Sequence, residues 1–265
     1  MAKAFKLPKK IFDAHNHLWK DDNGSKILGW MDELGIETTL VMGAPAEFVM
    51  STAKMAKVVR RNPKRLVGGA YYDPRKGKKA IAELKRYAGE GLKIVKVFPN
   101  LGWFPDDPKY GAFFDAVAEN KMAVLSHCGW LGGAGAGMIK EEWATYHATP
   151  GRFEKVVRTH PETIFIMAHF GGIPGVLESV MLTTRTPNLY VDCSPGQGLW
   201  AIEKCGAIAG SVPAEKLLWG ADCKPTAEFL ERYRKDLVAI GYGEHLEKIF
   251  YTNARGIFEK LGVLK

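Results

Sequence analysis

Eight short apolar runs, each followed by helix-forming residues and a Gly, Pro or Asn stop, constrain this chain more than any other feature. The runs are 11–17, 36–42, 65–71, 92–98, 122–127, 164–169, 189–192 and 216–222. Helical segments are expected at 25–34, 46–61, 78–88, 110–119, 151–159, 176–184 and 199–209, and two more, 227–240 and 244–261, close the chain. Most runs are apolar throughout, as in strands buried on both faces of a parallel sheet. A repeat of roughly 30 residues is what a single (β/α)8 TIM barrel needs. Strand–helix alternation alone also allows a doubly wound open sheet. No linker or low-complexity tract interrupts residues 1–265, which read as one domain.

Several classes fall away on composition. A hydrophobic share of 46% with 25% charged residues suits a globular chain with an ample core. No uncharged stretch reaches the length of a bilayer and no signal peptide is visible, so a cytoplasmic protein without a membrane partner is expected. Cys128, Cys193, Cys205 and Cys223 form no Cys-x-x-Cys pair, which leaves free thiols as the simpler reading. The net charge of +8 is spread over helix faces (Lys54, Lys57, Arg60, Arg61, Lys64) and a turn from Arg75 to Lys79. No nucleic-acid motif accompanies it; it reads as a solvated surface that attracts small anionic substrates.

In a barrel the chemistry lies at the C-terminal ends of the strands. Strand one ends in His15 and His17, strand four carries Lys96, strand five ends in His127, and strand six in His169. Strands seven and eight end in Asp192 and Asp222. Residues i and i+2 of a strand share a face, so His15 and His17 can grip one ion, although a His-x-His pair alone is as well explained by a solvated strand end. Closure sets strand eight beside strand one, bringing Asp222 next to the pair, and the barrel is narrow enough for strands five and six to reach its centre. Nitrogen and carboxylate ligands suit a divalent metal, zinc first, with manganese or iron as alternatives. Lys96 sits mid-strand, where a lone ammonium is costly. It is paired with Asp192 or another acid, touches substrate, or is carboxylated between two metals.

Taken together, Asp13-Ala14-His15-Asn16-His17, Val95-Lys96-Val97-Phe98-Pro99, Ser126-His127-Cys128-Gly129, Ala168-His169-Phe170-Gly171-Gly172 and Trp219-Gly220-Ala221-Asp222, with Asn253-Ala254-Arg255 near the end, resemble the amidohydrolase superfamily. The similarity is to its amidohydrolase-related branch of lactonases and aminocarboxymuconate-semialdehyde-type decarboxylases, and spans nearly the whole chain. It implies that His15, His17, His127 and Asp222 are metal ligands and that His169 and Asp222 are catalytic. With two metals, His127 and His169 would serve the second ion and a carboxylated Lys96 would bridge. The implied activity is hydrolysis of a small anionic lactone, ester or amide by metal-activated water at the barrel mouth. A metal-dependent non-oxidative decarboxylase or other lyase is the alternative, and a non-catalytic binding scaffold the third. The compact chain, without the long inserts of larger decarboxylases, favours hydrolysis. The resemblance also implies a homodimer.

Other residues are less committed. The run from Gly132 to Gly137 lacks a nucleotide-loop pattern and reads as a lid or an ordinary loop. Parity turns Cys128, Cys193 and Cys223 away from the axis, into packing. His147 is placed to contact substrate or to lie on the surface, and Trp103 with Phe104 to wall the pocket or cover the rim.

Overall fold

A computed structural model describes residues 5–131 and 143–264. The apolar runs become β1 (Ile11–His17), β2 (Ile36–Met42), β3 (Leu66–Tyr71), β4 (Ile94–Val97), β5 (Ala123–Ser126), β6 (Phe165–Met167), β7 (Leu189–Asp192) and β8 (Leu217–Leu218). They pair parallel in chain order. Beyond β8 the chain returns to β1: the Ala14 N–H donates to the Trp219 carbonyl (3.0 Å) and the Asp222 N–H to the His15 carbonyl (2.6 Å). The molecule is a single (β/α)8 barrel.

Its core has two layers, because alternate residues of each strand face opposite ways. Phe12, Leu40, Ile94, Leu125, Ile166 and Leu218 fill the barrel. The helix Asn253–Lys260 plugs the N-terminal end, stacking Phe258 on Phe12 with ring centroids 4.9 Å apart. Val41, Val95, Val124, Phe165 and Val191 face the surrounding helices instead, and Cys128 and Cys193 pack in this outer layer, as their parity implies. Among the described residues, no helix is long and apolar enough to cross a membrane.

The elements depart from the sequence reading where tertiary partners take over. A helix expected from residue 46 starts at Thr52. The preceding segment lies antiparallel to residues 18–20, with the Met50 N–H donating to the Leu18 carbonyl (2.7 Å) and the Lys20 N–H to the Phe48 carbonyl (2.9 Å). The expected helix at 199–209 is two pieces, Gln197–Lys204 and Gly206–Ala209. That at 244–261 is a π turn, Lys248–Thr252, running into the helix Asn253–Lys260. Strand eight is much shorter than 216–222. A side chain at Gly220 would meet the His15 Cβ at 2.5 Å, and the Ala221 N–H donates to the Asp13 carboxylate (2.8 Å) instead of a ladder carbonyl. The glycine-rich run 132–137, read as a lid or an ordinary loop, lies outside the described residues.

Asp13 is the clamp of this closure. Buried, it accepts from the Ala221 N–H (2.8 Å), the Asn16 side-chain amide (2.8 Å) and the His15 N–H (3.2 Å). Burial pushes its carboxyl up to about 7, against the pull of those donors. Asp13→Ala strands three donors and is expected to cost about 2–4 kcal/mol in urea unfolding. Asp13→Asn keeps an acceptor without the buried charge and should lose clearly less. Equal losses for the two variants, or none, would refute the clamp.

Candidate active site

Inward side chains at the C-terminal ends of the strands converge as a barrel requires. Backbone irregularities at three places aim them. Opposite β2, Asp13 pairs with Thr39 but Asn16 with Val41, so β1 carries one extra residue, a bulge. Phe12 and Ala14 already face the barrel interior, and the bulge lets His15 and His17 face it too. At the end of β6 the chain leaves extended geometry, with His169 and Phe170 at φ +56° and +60°; Asp222 has φ +48°. Left-handed backbone at non-glycine residues costs on the order of 1–3 kcal/mol each and tends to collect at functional sites.

His15, His17 and Asp222 come together, each presenting one ligand atom within 4.8 Å of the others. The Asp222 Oδ1 lies 3.3 Å from Nε2 of both histidines. The opposite ring nitrogens are occupied: His15 Nδ1–H donates to Asp192 Oδ2 (2.8 Å) and His17 Nδ1–H to the Met42 carbonyl (2.8 Å). Both Nε2 lone pairs are therefore directed into the site, toward the Asp222 carboxylate, and that of His15 also meets Lys96 Nζ at 3.0 Å. Burial, with the Lys96 charge, lowers the His15 pKa and keeps the ring neutral, the form that binds metals. Two imidazole lone pairs and a carboxylate oxygen, with both rings held from behind, fit a divalent ion that takes nitrogen and oxygen ligands.

His127 and His169 form a second pair. His169 Nε2 lies 3.1 Å from His127 Nδ1 and 3.9 Å from Asp222 Oδ2. His127 Nε2–H donates to the Trp130 carbonyl (3.0 Å), which also takes an N–H from Gln197 (2.9 Å). Burial, then the neighbouring His169 and Lys96, lowers His127 well below the usual imidazole range; burial also pushes His169 down to about 4. His127 thus reaches the cluster through His169 and is not among the three converging donors.

Lys96 is fully buried, with Nζ 3.0 Å from His15 Nε2 and 5.0 Å from the Phe98 ring centroid. Burial lowers it to about 8, although Asp222 and Asp192 pull it upward. The pairing of Lys96 with Asp192 considered from sequence is not what forms. The Asp192 carboxylate is taken by His15 Nδ1–H, the His169 N–H (3.1 Å), the Ser194 N–H (3.0 Å) and the Ser194 hydroxyl (2.5 Å). Despite burial, these donors and the adjoining His15 and His169 hold it well below the ordinary carboxylate range. Sequence reading assigned no role to Ser194, whose hydroxyl is also 2.8 Å from His169 Nδ1. The signal was available: two residues past Asp192, it shares that residue's inward face.

The remaining candidates lie elsewhere. His147 is buried in a short turn, Thr145–Ala148, against Phe104 and Tyr146, with ring centroids 4.3 and 4.5 Å away. Trp103 belongs to the outer core layer, its indole N–H donating to the Phe98 carbonyl (3.0 Å).

A family model described as amidohydrolase matches residues 34–260. No curated protein matches the sequence. Among solved structures, an uncharacterised TIM-barrel protein from Bordetella bronchiseptica aligns over 96% of this chain and 99% of its own, at 19% identity and a TM-score of 0.70. A dihydroxybenzoic acid decarboxylase from Polaromonas sp. JS666, with bound manganese and the inhibitor 2-nitroresorcinol, aligns over 94% and 97% at 18% identity, TM-score 0.67. A probable 2-pyrone-4,6-dicarboxylic acid hydrolase from Acinetobacter baumannii, with citric acid bound, aligns over 94% and 99% at 17% identity, TM-score 0.66. Both the decarboxylase and the hydrolase are covered almost end to end, so compactness does not set this chain apart from decarboxylases.

Proposed function

The chain belongs to the amidohydrolase family, and within it we propose a metal-dependent hydrolase of a small anionic carbonyl compound such as a lactone, ester or amide. The observation that carries this reading is the convergence of His15 Nε2, His17 Nε2 and Asp222 Oδ1, with both ring Nδ1 atoms engaged behind them. These three side chains would hold the ion, zinc or alternatively manganese or iron, with His169 the next ring outward and His127 behind it. A divalent ion held there supplies a lowered water pKa and polarisation of a carbonyl. Asp222 has one oxygen toward the ligand histidines and the other toward His169, so it can take a proton on one side of the site and return it to a leaving group. His169 Nε2 is the second proton-handling atom. Lys96 offers the buried ammonium that an anionic substrate would meet.

Decarboxylation is the second reading, favoured by the His127–His169 pair, which could deliver a proton to carbon. Both readings expect metal. Purified protein supplemented with zinc or manganese should hold about one equivalent by plasma mass spectrometry, and less than about a tenth would count against both. Lactone and aromatic-acid panels run in oxygen-18 water then separate them. Hydrolysis places one solvent oxygen in the product carboxylate, whereas carbon dioxide release with no solvent oxygen in the remaining product overturns the hydrolase.

A further inference from the structure

The hydrogen bonds behind His169 can be counted proton by proton. Ser194 Oγ has one hydrogen and touches Asp192 Oδ1 at 2.5 Å, His169 Nδ1 at 2.8 Å and, more distantly, His15 Nδ1 at 3.3 Å. An Asp192 carboxylate only accepts, so that contact needs the serine hydrogen. The contact with His169 then requires the imidazole to donate from Nδ1. In the neutral ring Nε2 is left with a lone pair, facing the gap bounded by His127 Nδ1 and Asp222 Oδ2. The other tautomer would satisfy His127 by donating from Nε2, but it would need the serine hydrogen to leave a carboxylate oxygen 2.5 Å away.

We propose that Ser194, oriented by Asp192, is a positioning residue that holds His169 in the Nδ1–H tautomer, so that Nε2 rather than Nδ1–H serves the reaction. Asp192 also orients His15 through its other oxygen, so one carboxylate sets the ring of a proposed metal ligand and, through Ser194, that of the proton-handling group. Ser194 is fully buried and fixed by its own N–H to the same Asp192 oxygen (3.0 Å), which leaves its hydroxyl little freedom to choose another partner. The assignment rests on the reading of His169 as the proton-handling group only for its effect on rate. The tautomer itself can be measured without turnover.

Long-range nitrogen-15 NMR of protein labelled in its histidine rings tests it, on wild type with zinc added. His169→Gln identifies the signals by subtraction. A pyrrole-type Nδ1 and pyridine-type Nε2 for His169 are expected; the reverse in wild type overturns the proposal without recourse to any variant. In Ser194→Ala the constraint is gone, and His169 should shift toward the Nε2–H form that His127 can accept. That variant should lose about tenfold to a hundredfold in kcat with little change in KM, and Ser194→Thr, which keeps the hydroxyl, should recover most of it. An unchanged tautomer in Ser194→Ala also defeats the proposal. A shifted tautomer with unchanged kcat would instead remove His169 from the reaction and leave the positioning role standing.

Discussion

Asp222→Asn is expected to lower kcat/KM by about 10³–10⁴-fold while leaving the fold intact. The carboxylate sits where the functions of the site meet, with Oδ1 3.3 Å from both His15 and His17 Nε2 and Oδ2 3.9 Å from His169 Nε2. Asparagine keeps the shape and one oxygen but cannot accept a proton, and its amide hydrogens would face lone pairs. Backbone strain does not confuse the result. Asp222 has φ +48°, and asparagine tolerates left-handed geometry about as well as aspartate, whereas alanine would not. The measurement is steady-state kinetics on the best substrate of the panels, with urea unfolding as the control for folding. A loss of less than about tenfold, with wild-type stability, would remove Asp222 as the proton acceptor.

Much of this site was legible in the sequence because the barrel assigns each strand one catalytic end. His15, His17, His127 and Asp222 could be placed there from the apolar runs they terminate, and β1, β2 and β7 begin and end where the pattern puts them. What periodicity could not supply was the aim of the side chains. Parity would turn His15 away from Phe12 and Ala14, and a bulge overrides it. Parity would likewise turn His169 away from Ala168, and a left-handed turn overrides that, its N–H held by Asp192 at 3.1 Å. In both places a local irregularity, invisible to a period-two reading, brings a histidine to the axis. Asp192 could also be placed, at the end of strand seven, but not its partners: it is saturated by the His15 ring, the His169 N–H and Ser194 rather than by Lys96. Spacing puts Ser194 on the same face without revealing which donors will saturate a buried carboxylate.

Separating ligands from neighbours among the four histidines calls for metal content rather than rate. His15→Ala or His17→Ala removes one of three converging donors and is expected to drop bound metal from about one equivalent to below about a tenth after dialysis, with activity lost in parallel. His127→Ala should behave differently. Its Nδ1 faces His169 Nε2 at 3.1 Å and its Nε2–H is spent on the Trp130 carbonyl, so the three-residue cluster survives its loss. The variant should therefore retain more than about half of the metal and still lose turnover, because His169 then lacks the ring against which its Nε2 is set. The comparison also bears on family resemblance, which would make His127 a fourth ligand. If His127→Ala empties the site as completely as His15→Ala, the ring must swing from His169 to the ion when metal binds, and the Trp130 carbonyl would be its hinge partner. If it keeps its metal, the ligand set is His15, His17 and Asp222, with His127 and His169 left to handle protons.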